Sequence, residues 1–170
     1  AMRKDDKAGL VTFNEYFDTF VPASKQVGQM QTLLENLYKQ ETTFGETDFS
    51  ALCGHLGKHV NKRSFLVLYT NFSNMTSLNR QLVYLQQLAR QHRVLVVFFE
   101  DADLKEYIAG KSATTEDYYR HVIAEKFAFE KRLIVSTLKQ HGIYSLLTTP
   151  DKLSIDVINK YLEMKSRQLL

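Results

Sequence analysis

The chain has 170 residues and a mass of 19.7 kDa, which is enough for one domain with a sizeable core and too little for two of ordinary size. Apolar residues make up 44% and charged residues 24%, and the mean hydropathy of −0.28 excludes a disordered tail, a fibrous repeat and a membrane bundle. The 22 basic and 19 acidic side chains are spread along the chain without a basic block, so the net charge of +3 does not predict nucleic-acid binding.

The cysteine content and the apolar runs indicate a compartment. The single cysteine, Cys53, cannot form a disulfide within the chain, which is typical of a reducing environment. No apolar run approaches the ~20 residues of a membrane span, and the polar start of the chain is not a signal peptide. We therefore expect a cytoplasmic protein with no membrane segment in this chain.

Five short runs rich in β-branched and aromatic residues predict strands. They lie at residues 8–13, 16–21, 65–70, 94–99 and 143–148. The last three are apolar almost without interruption, which is typical of parallel strands that are buried on both faces. Only Asn14 and Glu15 separate the first two runs, so these predict an antiparallel hairpin at an edge of the sheet.

Between the strands, apolar residues recur at the spacing of amphipathic helices. The stripes begin at Met30, Phe49 and Leu78, a longer helix covers about 116–140, and a last helix follows Pro150. Gly142 is placed to end the long helix in a left-handed turn. Strands that alternate with helices predict an α/β fold over residues 1–170, as a single domain. We expect a mostly parallel sheet with helices on both faces and the antiparallel hairpin at its edge.

Two carboxylates follow the predicted strand at 94–99. Ligands of an open α/β sheet lie beyond the carboxyl ends of its strands, and Asp101 and Asp103 occupy such a place. Paired carboxylates hold Mg²⁺ and support phosphoryl transfer, so they suggest a Mg²⁺-dependent phosphohydrolase or nuclease. The other interpretation is that either residue caps the following helix, and we favour it because the neighbouring strand end supplies Asn71 rather than a third carboxylate.

The remaining motifs do not predict catalysis. His55 and His59 lie one helical turn apart, a spacing that can bind zinc, but further ligands are absent nearby, so we expect solvated histidines. No serine or cysteine stands in a nucleophile motif. Opposite charges at i, i+4 predict solvated helix faces. Examples are Lys126 with Glu130 and Glu163 with Arg167.

Five stretches carry a family resemblance when they are considered together. They are AGLVTF at 8–13, TDF at 47–49, KRSFLVLYTN at 62–71, HRVLV at 92–96 and VINKYLEMK at 157–165. In order and spacing they resemble the family called domain of unknown function 58, whose fold is like that of the von Willebrand factor A domain. The similarity covers nearly the whole chain from about Lys7. It implies a metal-ion-dependent adhesion site at the top of the sheet, where a D-x-S-x-S loop, a threonine and an aspartate hold Mg²⁺.

Two positions of this sequence match that site. Thr47 resembles the family's threonine, and Asn71 stands at the position of its aspartate, while no D-x-S-x-S occurs. Because these neutral groups leave too few anionic oxygens to offset the dehydration of Mg²⁺, we expect Thr47 and Asn71 to be remnants without a bound metal. No cofactor is expected in this chain. Mg²⁺ is expected only if the native protein also supplies the missing loop.

In the resembling fold the missing loop follows a first, central strand, so we expect the chain to be truncated at its N-terminus. The neighbours of that strand, residues 8–13 and 65–70, then expose unpaired backbone groups that must pair with each other or with another chain. We expect a rearranged sheet or a homodimer formed through strand edges. The resemblance implies a non-catalytic protein-interaction domain that partners a MoxR-like AAA+ ATPase.

Overall fold

The computed structural model describes residues 6–14, 17–41, 47–72, 74–100 and 115–167. The chain divides into two compact units, Ala1–Asn61 and Lys62–Leu170, and each is described by itself. The single domain expected over residues 1–170 stays a prediction.

The first unit contains an antiparallel hairpin of β1 (Ala8–Phe13) and β2 (Phe17–Ser24). The backbone of Gly9 passes so close to β2 that a Cβ atom would lie 2.7 Å from the carbonyl oxygen of Val21, so glycine is required at this irregular point of the register. The hairpin itself is confirmed. Its predicted position at the edge of the parallel sheet is wrong, because β1 and β2 form a two-stranded sheet of their own.

Two helices accompany the hairpin. In α1 (Gln29–Tyr38), the buried amide of Gln29 donates hydrogen bonds to the carbonyl oxygens of Ala8 at 2.9 Å and Pro22 at 3.0 Å. The helix α2 (Phe49–His59) buries the apolar stripe that the sequence predicts. The ring of Phe49 meets that of Phe13 edge-on, with centroids 5.4 Å apart, so α2 packs against the hairpin.

The second unit contains a parallel sheet of β3 (Phe65–Tyr69), β4 (Arg93–Phe99) and β5 (Tyr144–Thr148), with β4 in the centre. In the register, Phe65 pairs with Arg93, and Leu95 pairs with Tyr144. All five residues from 94 to 98 are buried, which explains why this strand is a continuous apolar run.

Helices cover both faces of this sheet. They are α3 (Met75–Gln91), α4 (Thr115–Gln140) and, after a 3-10 turn at Pro150–Lys152, α5 (Leu153–Ser166). Lys131 of α4 lies over the ring of Phe98, and α3 contacts α4, so both helices lie on the face to which Phe98 points. The ring of Tyr161 in α5 lies 6.0 Å from that of Phe65, which points to the opposite face by the alternation of side chains.

The predicted α/β arrangement with a parallel sheet is therefore confirmed, while the likeness to a von Willebrand A domain stays a prediction. Gly142 has a φ of 72° and ends α4 as expected, because the backbone N–H of Ile143 then reaches the carbonyl of Leu138 at 3.0 Å. The predicted pair of Glu163 and Arg167 forms at 3.2 Å. Within the described residues, no helix combines the length and the apolar character needed to cross a membrane.

Candidate functional site

Asn71 lies directly beyond the carboxyl end of β3 and is exposed. Its Oδ1 atom accepts a hydrogen bond from Nζ of Lys131, which α4 brings to this end of the sheet. The same ammonium lies 5.7 Å from the centroid of the buried Phe98 ring. The side chain that the sequence predicts as a remnant metal ligand therefore binds a cation that belongs to the chain itself.

Lys131 reaches Asn71 because it stands on the side of α4 that faces the sheet. It shares that side with the buried residues Ala124, Ile134 and Leu138, which lie three to seven positions away. Partial burial of the ammonium lowers the pKa of Lys131 below the ordinary value of lysine. Sequence reasoning missed this residue. A lysine within an otherwise apolar helical stripe is the signal that identifies such a position.

The carboxyl end of β5 has its polar groups engaged within the unit. The buried Thr148 donates from Oγ1 to Oδ2 of Asp156 at 2.5 Å. The carbonyl oxygen of Thr148 accepts the backbone N–H of Glu100 at 2.9 Å. These contacts fix the start of α5 on the sheet, so Thr148 and Asp156 contribute to the packing of the unit.

The two carboxylates of the alternative metal site, Asp101 and Asp103, lie outside the described residues. Their roles as ligands or as helix caps therefore stay predictions. Among the residues that the structure describes, no three His, Cys, Asp or Glu side chains come together in an arrangement that could hold a metal ion.

Thr47 lies in the first unit and precedes α2. The cap of this helix is the neighbouring Asp48, whose Oδ1 accepts the backbone N–H groups of Ser50 at 2.7 Å and Ala51 at 3.1 Å. Asp48 also affects Cys53: burial and the nearby carboxylate raise the pKa of this thiol to about 11. The raised pKa favours the protonated thiol at neutral pH, which is the less reactive form.

The histidines of α2 form a ring stack. The rings of His55 and His59 lie nearly parallel, with centroids 4.0 Å apart, and Phe20 of β2 approaches both. Burial, together with the nearby His59 and Lys58, lowers the pKa of His55. The expectation of two solvated histidines is therefore wrong in part, because the rings pack against each other and against the hairpin.

The side of β3 that faces away from β4 is the most distinctive feature of the second unit. The carbonyl of Ser64 and the N–H of Thr70 bond to β4, and alternate residues of a strand direct their backbone groups to opposite sides. The N–H and C=O groups of Phe65, Val67 and Tyr69 therefore point away from β4. No strand of the described residues pairs with that side, and the Tyr69 side chain next to it is 55% exposed.

Comparison with known families shows a match over most of the chain. The family described as "Protein of unknown function DUF58" matches residues 1–112 of the 170, which is narrower than the coverage expected from the sequence because α4, β5 and α5 lie beyond it. No curated protein matches the chain. No solved structure matches it either.

Proposed function

We propose that this chain, which belongs to the DUF58 family of proteins of unknown function, is a non-catalytic domain that binds a protein partner along β3. The partner contributes an extended segment that pairs with the backbone of Phe65, Val67 and Tyr69. The observation that carries the proposal is the row of outward N–H and C=O groups on this strand. A row of outward groups on an edge strand is a template for strand addition, in which main-chain hydrogen bonds supply the affinity.

The family resemblance supports β3 rather than β5 as the binding edge. In the resembling fold a central strand lies beside the strand that matches β3, so this side of the sheet is adapted to being paired. The same resemblance suggests a MoxR-like AAA+ ATPase as the partner. Lys131 supplies a positive charge at Asn71, directly beyond the carboxyl end of β3, which favours a segment that carries a carboxylate.

Proline substitution tests the proposal, since proline lacks the N–H group. Val67→Pro removes an outward donor of β3 and leaves the bonds to β4 in place, and edge strands tolerate proline at such a position. We expect binding of a purified MoxR-like ATPase to weaken about tenfold or more, which corresponds to about 1.4 kcal/mol. Ser145→Pro, which alters the outward side of β5 in the same way, is the matched control and leaves binding unchanged.

Three results are informative. Equal binding by Val67→Pro and the native chain contradicts pairing along β3. A second result is that the native chain does not bind the ATPase but self-associates. If Val67→Pro abolishes that self-association, the edge of β3 forms the strand-mediated homodimer expected from the sequence. The enzymatic alternative, a Mg²⁺-dependent phosphohydrolase or nuclease that uses Asp101 and Asp103, has no support among the described residues and is tested by metal titration below.

A further inference from the structure

Exposed apolar side chains line the side of α4 that is opposite the sheet. Their exposed fractions range from 40% to 60%, and spacings of four, seven and four residues keep them in one row. They are Tyr118, Val122, Phe129 and Leu133, here called the α4 stripe. A contiguous apolar row of this kind on a surface helix marks an interaction site rather than a solvated face.

Charged residues flank the α4 stripe, and the described part of the chain gives them no strong partners. Lys126 and Arg132 are exposed and make no ion pair with any described residue. The predicted pair of Lys126 with Glu130 does not form, and the buried Oε2 atom of Glu130 has no hydrogen-bond partner. Glu125 lies 3.5 Å from His121, which is charged only when it is protonated. Near the middle of the stripe, Lys126 and Glu130 lie on one flank, which also exposes Tyr119 and Ile123. Glu125 and Arg132 lie on the other flank.

We infer that a second copy of the chain binds to the α4 stripe, with the two α4 helices antiparallel around a two-fold axis near Ala128. In an antiparallel pair of this symmetry, each flank meets the same flank of the other helix. Lys126 then faces Glu130 of the second copy, and Glu125 faces Arg132 of the second copy. Both contacts occur twice, so four ion pairs frame the apolar row.

The heights of these residues along the helix fit one axis. Each residue adds about 1.5 Å along the helix axis. The midpoint between Lys126 and Glu130 is therefore at Ala128, and the midpoint between Glu125 and Arg132 lies within one residue of Ala128. Phe129 of one copy then lies against Phe129 of the other copy. Val122 lies beside Leu133 of the second copy, because the midpoint between these two positions is also within one residue of Ala128. The apolar and the charged contacts therefore require the same register.

Charge argues against other occupants of the α4 stripe. A helix that lies on a membrane surface carries basic residues along its polar side, whereas both flanks here mix acids with bases. In a parallel pair, each flank meets the other flank of the second copy. Glu125 then meets Lys126 of the second copy, and Arg132 meets Glu130 of the second copy. The antiparallel pair is favoured over it because opposed helix dipoles attract.

Sedimentation equilibrium between about 10 μM and 1 mM measures the association, a range suited to helix-pair interfaces of modest area. We expect the native chain to form dimers and Val122→Glu to remain monomeric. Val83→Glu is the matched control, because Val83 is an exposed valine on another helix, with an exposed fraction of 60%, and this variant keeps the dimer. Circular dichroism of each variant verifies that the helices are retained.

A charge exchange tests the orientation. Glu125→Arg alone, or Arg132→Glu alone, places like charges opposite each other and weakens the dimer about tenfold or more. The double variant Glu125→Arg, Arg132→Glu restores an antiparallel dimer, whereas it creates like-charge contacts in a parallel one. A native monomer over the whole range, a dimer that survives Val122→Glu, or a folded double variant that fails to dimerise overturns the inference. Val67→Pro alters β3 alone, so a failure here is distinguishable from a failure of the proposed function.

Discussion

His92 accepts a hydrogen bond at Nδ1 from the backbone N–H of Ser64, at 3.4 Å, and its Nε2 atom is buried without a partner. The residue is only 2% exposed and connects α3 to β4. Because Nδ1 accepts, the ring is neutral with its proton on Nε2. Burial lowers the pKa of His92 below the ordinary value of histidine, since a charged ring here lacks solvation.

Acid is expected to destabilise the second unit through this residue. Below about pH 6.5 the unfolded chain binds a proton that buried His92 does not accept, so the free energy of unfolding falls as the pH falls. The loss approaches about 1.4 kcal/mol per pH unit for one histidine. Urea denaturation at about pH 7.5 and 5.5 measures it. His92→Leu should reduce the pH dependence, because the residue that replaces histidine does not titrate. Equal stability of the native chain at both pH values contradicts this role.

Magnesium is expected to bind weakly or not at all. The ammonium of Lys131 occupies Oδ1 of Asn71 and repels a divalent cation there. Calorimetric titration should show no Mg²⁺ binding tighter than about 1 mM, and Lys131→Met should not create it because a neutral amide remains. Tight binding that Asp101→Ala abolishes contradicts the expectation and supports the enzymatic alternative.

Thr47 and Asp48 are expected to differ in their effect on the first unit. Asp48→Ala removes the acceptor of two backbone N–H groups and should lower stability by about 1 kcal/mol. Thr47→Ala removes no cap and should change it by less than about 0.5 kcal/mol. Thermal denaturation of both variants measures the difference. A larger loss for Thr47→Ala assigns Thr47 a role that the helix cap does not explain.

Gln29 is expected to anchor α1 to the hairpin. Gln29→Leu leaves the carbonyl oxygens of Ala8 and Pro22 without their donor, so the first unit should lose about 1–3 kcal/mol. Gln31→Leu, at an exposed position of the same helix, is the control and should stay within about 0.5 kcal/mol of the native value. Hydrogen exchange of the hairpin amides localises the effect. Equal stability of the two variants shows that the Gln29 bonds contribute little.

Much of the fold was predictable from the sequence because many of its features depend on residues that are close together in the chain. The apolar run of β4 follows from burial on both faces, and Gly142 ends α4 because it adopts a positive φ. An aspartate directly before an apolar helical stripe is a typical cap, and Asp48 caps α2 in the structure. Such features depend on neighbouring residues, so the sequence alone indicates them.

Long-range contacts were not predictable in the same way. Lys131 and Asn71 are 60 residues apart, and they meet only because α4 packs on the face of the sheet to which Phe98 points. Periodicity predicts an apolar side of α1 but not what covers it, and Met30, Leu34 and Leu37 on that side are exposed. Strand composition likewise does not specify which strands pair, which is why the hairpin was placed wrongly at the edge of the parallel sheet.

Amide hydrogen exchange of β3 tests the binding edge most directly. In dilute protein the amides of Phe65, Val67 and Tyr69 should exchange quickly, while those of Leu66 and Leu68, which face β4, exchange slowly. Addition of the MoxR-like ATPase should slow the exchange of the first three amides. Slow exchange of all five in dilute, monomeric protein means that the edge is already covered and contradicts the account.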